Sequence, residues 1–409
     1  MTRAFTIKKP NIHYAWLILI ACCALQAGSQ GTIFDTLGVF NSPVCNDLGF
    51  EFGSFAFAQT FSAVAMMVTQ PFSTYLYHRF GIKRVLLVSG CIYYTAYFSL
   101  SMASQLWHWY LLLSIEGIMG GFFYRTSYTI LLCRWFASKT ALALGIATAV
   151  GSIMGMIMNP VATMVIAHFG WRSCYQLLAS LGALITIPLI SLIVRASPAE
   201  MDLAPYHEGC DTTDTIHFPA KHHGKKAIGI CILFILSSVF SYLCGGYYSH
   251  LPNYSISIGM GAIAGSLMTS FELGGTMIMK FLVGPISDRI GLMKTETLIM
   301  ILSLIGYFCY FFLTGNILFF TTALCGIYCA TNMVLMPLLA REELGEDRFQ
   351  TVLPWITTAG AAASSISNTI YGFIFDIFGN YDLMFILCMI GIIASYLILI
   401  IIKRLGKQK

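Results

Sequence analysis

Apolar runs of about 20 residues recur along the whole chain, each long enough to cross a hydrocarbon core of roughly 30 Å. Short polar turns separate them. The pattern predicts twelve helical spans, at 14–39, 53–77, 83–103, 107–133, 139–167, 171–194, 227–250, 262–286, 295–314, 316–339, 350–377 and 382–402. One interruption is long. Residues 196–226 hold Glu200, Asp202, Glu208, Asp211 and Asp214 among prolines, histidines and lysines, and read as a solvated linker. The expected division is a six-span half over 1–195, a linker over 196–226, and a second six-span half over 227–409.

The two halves repeat a polar signature. In the second half Lys280 lies inside an apolar segment, followed by Gly284, Asp288, Arg289, Gly291 and Lys294. A paler copy upstream has Gln70, His78, Arg79, Gly81 and Arg84, at a constant offset (289 − 79 = 210 and 291 − 81 = 210). Only the second copy keeps the acid (Asp288 against His78) and adds a cation within a span (Lys280 against Gln70).

Composition agrees with the pattern. Hydrophobic residues make up 57% and charged residues 10%, a balance that no soluble surface tolerates. The expected fold class is an all-α membrane protein of twelve transmembrane helices in two pseudo-symmetric halves. Of the 23 Lys and Arg, only Arg125, Lys280 and Arg172 lie outside the termini and the even-to-odd loops. The positive-inside rule therefore predicts both termini, the charged turns and the linker on the cytoplasmic side, with residence in the cell's inner (plasma) membrane and no cleavable signal. The pI near 8.5 follows from this topology and does not point to nucleic acid. The 13 cysteines show no metal-ligand spacing with histidine, and no nucleotide loop or Ser-His-Asp constellation appears. The chain reads as a non-enzyme without metal or cofactor beyond a coupling proton, in lipid, as a monomer.

Ionisable residues inside spans carry the functional argument. A charge at mid-bilayer costs about 2.5–3.5 kcal/mol on insertion scales, so it faces a cavity or a partner. Five such residues stand out: Asp35, Glu116, Arg125, Glu272 and Lys280. Arg125 precedes Arg134 by nine residues and Lys280 precedes Asp288 by eight. At the helical rise per residue, both lie roughly 12–14 Å above the cytoplasmic turn. One cation from each half, at one depth, suits an anion bound near the midplane. Tyr124 and Tyr128 flank Arg125 as hydroxyl donors. Asn332 and Phe34 complete the expected substrate-binding set, with Tyr242, Tyr247 and Tyr248 as walls. Asp35 and Glu272 are the candidate proton-coupling acids, and a structural Arg125–Asp35 pair is the alternative for the arginine. Glu116, beside Gly117, Gly120 and Gly121, reads as a buried acid at a helix contact. These glycines and Gly145, Gly151 and Gly155 permit close helix approach. His250 is expected at the interface.

These residues resemble a known family. Gly284-x-x-x-Asp288-Arg289-x-Gly291-x-x-Lys294 is similar to the signature turn of the major facilitator superfamily. Arg134-Trp135-Phe136, Ala143-Leu144-Gly145-Ile146, Gly170-Trp171-Arg172 and His250-Leu251-Pro252 resemble its monocarboxylate and oxalate/formate carrier branch. The resemblance implies the major facilitator fold, alternating access, and a gating turn made of Asp288, Arg289, Gly284, Gly291, Arg79 and Gly81. It also implies a substrate-holding cation at position 280, where the branch usually has arginine. Three positions depart from the branch. Thr276 stands where monocarboxylate carriers have an aspartate, 360–363 lacks the oxalate carrier's second lysine, and span 1 has Asp35 but no lysine. The expected function is secondary transport of small organic anions, most of all monocarboxylates, coupled to protons or to exchange. The competing readings are an exporter of larger amphipathic compounds and a ligand-binding membrane sensor without net transport.

Overall fold

Gly81 and Gly291 each turn the chain between consecutive helices as a single residue. Their φ angles are +82° and +89°, a region where a side chain strains the backbone. Helix runs up to the preceding residue and resumes at the following one. The charged signatures are therefore ends of helices rather than loops. The same 210-residue offset recurs in Gly49 (φ +71°) and Gly259 (φ +80°), which close the first helix of each half.

The computed structural model describes residues 13–124, 126–136, 140–206 and 225–407. Its helices are α1 Tyr14–Leu48, α2 Phe52–Phe80 and α3 Ile82–Met102. Helix α4 comes in two pieces, Leu106–Phe123 and Ser127–Trp135. Helices α5 (140–169) and α6 (171–193) are separated by Gly170, at φ 80° and ψ 162°. In the second half come α7 Lys226–Ser257, α8 Ala262–Ile290, α9 Leu292–Cys309, α10 Ile317–Leu344, α11 Glu346–Phe378 and α12 Asp382–Lys407. By length and composition, 8 segments are apolar enough to span a membrane, with α5 and α6 counted together. The others carry polar cargo or a break. Helix α8 holds Glu272, Lys280, Asp288 and Arg289, α11 is rich in Ser, Thr, Gly and Ala, and α4 is interrupted. Large apolar side chains such as Leu184, Leu192, Phe312 and Ile377 point outward, as lipid-facing helices require.

Each half has its own buried core. One runs from Ala15 to Val194, and two further clusters lie between Ile230 and Ile402. Residues 199–205 of the expected linker are exposed, and Tyr206 docks on the first half. The Tyr206 amide donates to the Trp135 carbonyl at 2.8 Å, and its ring packs on His13, Trp16 and Phe136. Residues 207–224 of the expected linker lie outside the described residues, and its last two, Lys225 and Lys226, already belong to a helix.

Glycines set the closest helix crossings. A Cβ on Gly117 of α4 would stand 2.1 Å from the Ser62 carbonyl oxygen of α2. One on Gly326 of α10 would stand 2.2 Å from the Glu272 carbonyl oxygen of α8. These crossings are pseudo-equivalent (272 − 62 = 210). Gly145 departs from expectation: nothing lies within 4 Å of its would-be Cβ, so it makes no tight contact.

Candidate substrate cavity and its gates

Helices α1, α4, α7 and α10 lose regular geometry near their middles, and α2 tightens into a 3₁₀ turn at Gln70–Phe72. Helix α1 passes through a π segment, Gln26–Gly31, and a 3₁₀ segment, Phe34–Phe40. Helix α4 breaks between Phe123 and Ser127. Helix α7 tightens over Leu243–His250, and α10 carries a π segment at Thr331–Leu335. In α1, α7 and α10 the sequence gives a reason: Gly28 and Gly31, Gly245 and Gly246, and Thr331 and Asn332 have low helix propensity. Irregular backbone at membrane depth is tolerated where it is packed in protein or lines a cavity.

At the end away from the charged turns the halves are sealed. Asn41 of α1 donates to the Ser249 carbonyl of α7 at 3.1 Å, and Gly38 lies against the same backbone. Gln59 links Asn41 (2.8 Å) and Asn368 (3.2 Å), while Thr60 reaches the Ser365 carbonyl (2.9 Å) and Thr369 (2.7 Å). Asp376 of α11 accepts from the Phe52 and Gly53 amides at 3.1 and 2.6 Å. It thereby caps the N-terminus of α2, for which Glu51 supplies no side-chain cap. Just below lies a cavity of about 60 Å³ lined by Phe34, Gln59, Thr60, Tyr248, Ser365 and Asn368, among others. Its lining carries no ionised side chain.

At the opposite end the turns are not clasped. Asp288 and Arg289 are exposed, and among the described residues neither makes a hydrogen bond or ion pair. Arg79 bonds Tyr75 of its own helix at 2.9 Å. Gly81 and Gly291 are the positive-φ links, and Gly284 has open space around it.

Charges from the two halves meet between these ends. Asp35 is buried, with one carboxylate oxygen accepting from Gln30 at 2.7 Å. Its backbone carbonyl accepts from Asn159. Glu272, also buried, accepts from Thr276 and from the Cys329 thiol, each at 3.4 Å. Both Asp35 and the half-buried Lys280 lie within Coulombic reach of its carboxyl. Glu272 is thus within electrostatic range of a cation two turns away on its own helix and of an acid from the other half. Arg125 lies outside the described residues.

The remaining expected residues divide. Phe34 and Tyr248 line the cavity. Asn332 bonds Ser241 of α7 inside the second half. Tyr124 is buried with its hydroxyl toward the Met66 sulfur at 3.9 Å, and Tyr128 packs against the same core. Both belong to the first half's packing in this structure. Tyr247 is fully buried against Tyr307. Glu116 bonds Ser62 at the α2–α4 crossing, as expected of an acid at a helix contact. His250 is not interfacial: it is buried and bonded to the Asn368 carbonyl at 2.9 Å.

Sequence reasoning missed Asp376 and Glu296. Asp376 stands at the polar end of a span, where an acid reads as solvated. Glu296 stands two residues after Lys294, among turn residues. The alternation Ser365, Asn368, Thr369 and Gly372 with Gln59 and Thr60 is a signal for a polar inter-helix seam.

Comparison with known proteins agrees with this architecture. The sequence profile of the Major Facilitator Superfamily matches residues 17–345. Monocarboxylate transporter 12 of Xenopus laevis is 22% identical over 98% of this chain and 91% of its own length. Its Mus musculus counterpart is 19% identical over 100% and 89%. Among solved structures, a variant of nucleoside transporter NupG superposes with a TM-score of 0.73 at 12% identity, covering 96% of this chain and 100% of that one. A D-xylose-proton symporter gives 0.71 at 14%, covering 94% and 97%. With twelve helices in two repeated halves, broken α1, α4, α7 and α10, and a family profile over most of its length, this chain belongs to the Major Facilitator Superfamily and is a multi-pass membrane transporter.

Proposed function

We propose that this protein is a carrier of small organic anions, most of all monocarboxylates, and that it moves them together with protons by alternating access. One observation carries the reading. A half-buried lysine, Lys280, sits within a span, and both it and Asp35 from the first half lie within electrostatic range of the buried Glu272. A cation at this depth is costly unless it serves a partner or a cavity. With both acids ionised, Lys280 and the sequence-predicted Arg125 only cancel them, leaving no net attraction for an anion. One proton makes the sum one positive charge. Anion and proton then bind together for electrostatic reasons, with Glu272 or Asp35 as acceptor. Arg125, predicted from sequence at the same depth, is the second cation and comes from the first half. Phe34 and the neutral polar lining beyond it receive the rest of the substrate. The similarity to monocarboxylate transporters over nearly the whole chain supports this substrate class.

In this reading the termini and charged turns are cytoplasmic and the membrane is the plasma membrane. The conformation with unclasped turns and a sealed opposite end is then the inward-facing one. Asp288, Arg289 and Arg79 join neighbouring helix ends only when the cycle reverses.

The test is uptake of labelled mono- and dicarboxylates into proteoliposomes, with and without an inward proton gradient. Saturable, gradient-stimulated uptake by the wild type and its loss in Lys280→Ala are expected. Normal transport by that variant would remove Lys280 from the site and the anion reading with it.

A further inference from the structure

The residues 329–332 of α10 tie three helices together. Cys329 donates to Glu272 of α8 at 3.4 Å. Thr331 donates to Glu296 of α9 at 2.9 Å. Asn332 accepts from Ser241 of α7. The segment holds two buried acids at once, and Thr331 opens the π turn Thr331–Leu335.

Glu296 is the acid without a described role. It is fully buried at the fifth position of α9. One carboxyl oxygen takes the Thr331 hydroxyl, while the other is buried with no partner. No lysine, arginine or histidine bonds it among the described residues. The titratable group that faces it is Tyr328, one turn earlier on α10. The Tyr328 hydroxyl is buried beside Ser241 and Ser395 and also lacks a partner of normal hydrogen-bond geometry. An ionised carboxylate in such a setting has neither a counter-charge nor its share of donors. A carboxylic acid does better, because the hydrogen on the unfilled oxygen removes the charge and can be offered to a neighbouring hydroxyl.

We propose that Glu296 is a proton-binding site of the second half, separate from the Lys280–Glu272–Asp35 site, with its proton on the Oε1 atom. Gain of a proton converts carboxylate to neutral acid, and loss returns the proton to water at the nearby helix end. A carboxylate accepts the Thr331 hydroxyl more strongly than an acid does. Proton exchange therefore tightens or loosens the Thr331 anchor of the π turn, and the same segment carries the Cys329 contact to Glu272. Glu296 acts through this segment and is a positioning residue, not a substrate contact. The proposal does not depend on which substrate is carried.

The experiment is pH-difference infrared spectroscopy of the purified full-length protein, wild type against Glu296→Gln, with Glu272→Gln and Glu116→Gln for assignment. The expected result is a pH-sensitive protonated-carboxyl band in the wild type that disappears in Glu296→Gln and persists in the other two. Should Glu296→Gln fail to fold, Thr331→Val is the second arm, and the band is then expected to shift in frequency. A spectrum indifferent to whichever of these two changes is made overturns the proposal, whatever the transport assays report.

Discussion

Under the proposed function, the lysine at position 280 sets what the site can hold. Its ammonium is a compact point charge, whereas arginine offers a planar fork that grips a carboxylate with two hydrogen bonds. Truncation in Lys280→Ala is expected to lower carboxylate uptake at least about tenfold, since a charge-assisted hydrogen bond is worth roughly 1.5–3 kcal/mol. Lys280→Arg is expected to retain transport with a changed preference among carboxylates. Competition for labelled substrate uptake reads both. Glu272 separates charge from shape. Glu272→Gln keeps an oxygen for the Thr276 and Cys329 donors but cannot ionise. If Glu272 carries the coupled proton, gradient-driven accumulation is lost while exchange across liposomes at equal pH survives. Accumulation equal to wild type would assign the proton to Asp35 instead.

Between elements, the helix crossings set which glycines matter. At Gly117 an added side chain runs into the Ser62 backbone, which cannot yield as a flexible side chain would. Gly117→Val is expected to destabilise by roughly 1–3 kcal/mol, the usual cost of overpacking, seen as a lower melting temperature in detergent. Gly145→Ala is the contrast: with open space around it, helix propensity predicts no loss and up to about 1 kcal/mol of gain. Both glycines look alike in sequence, on neighbouring helices. Only the placement of α2 beside α4 tells them apart. The two α–α crossings also show how the repeat diverged. The first half places its acid on α4 as Glu116, bonded to Ser62. The second places its acid on α8 as Glu272, at the position equivalent to Ser62, opposite Gly326.

For the whole molecule, the balance between conformations rests on the seam between halves. Asp376 caps α2 only while the sealed end is closed, so its carboxylate is a contact that must be given up on opening. Removing a side-chain cap costs about 0.5–2 kcal/mol, and each 1.4 kcal/mol is a tenfold change in an equilibrium. Asp376→Ala is expected to move the population several-fold or more toward the state open at that end. Cys45, buried beside this seam, reports it through faster labelling by a membrane-impermeant maleimide, with Cys45→Ser as control. Unchanged labelling would mean that the polar contacts of Asn41, Gln59 and Asn368 hold the seal without the cap.

Much of this architecture was legible in the order of residues. Apolar run length set the twelve spans because lipid leaves backbone groups no partner outside the helix. The 210-residue repeat of the charged turns set the two halves. Lys280, Glu272 and Asp35 stood out as candidates because an ionisable residue in a span is rare and expensive. What the chain order left open was which distant groups meet. That Asp376 caps a helix of the other half, that Gly145 packs against nothing, that His250 is buried and that Glu296 sits in the interior depend on how helices cross. Sequence spacing fixes neighbours along one helix, at fixed rise and rotation. Contacts between helices hundreds of residues apart follow from the packing of whole surfaces, and only the tertiary structure decides those.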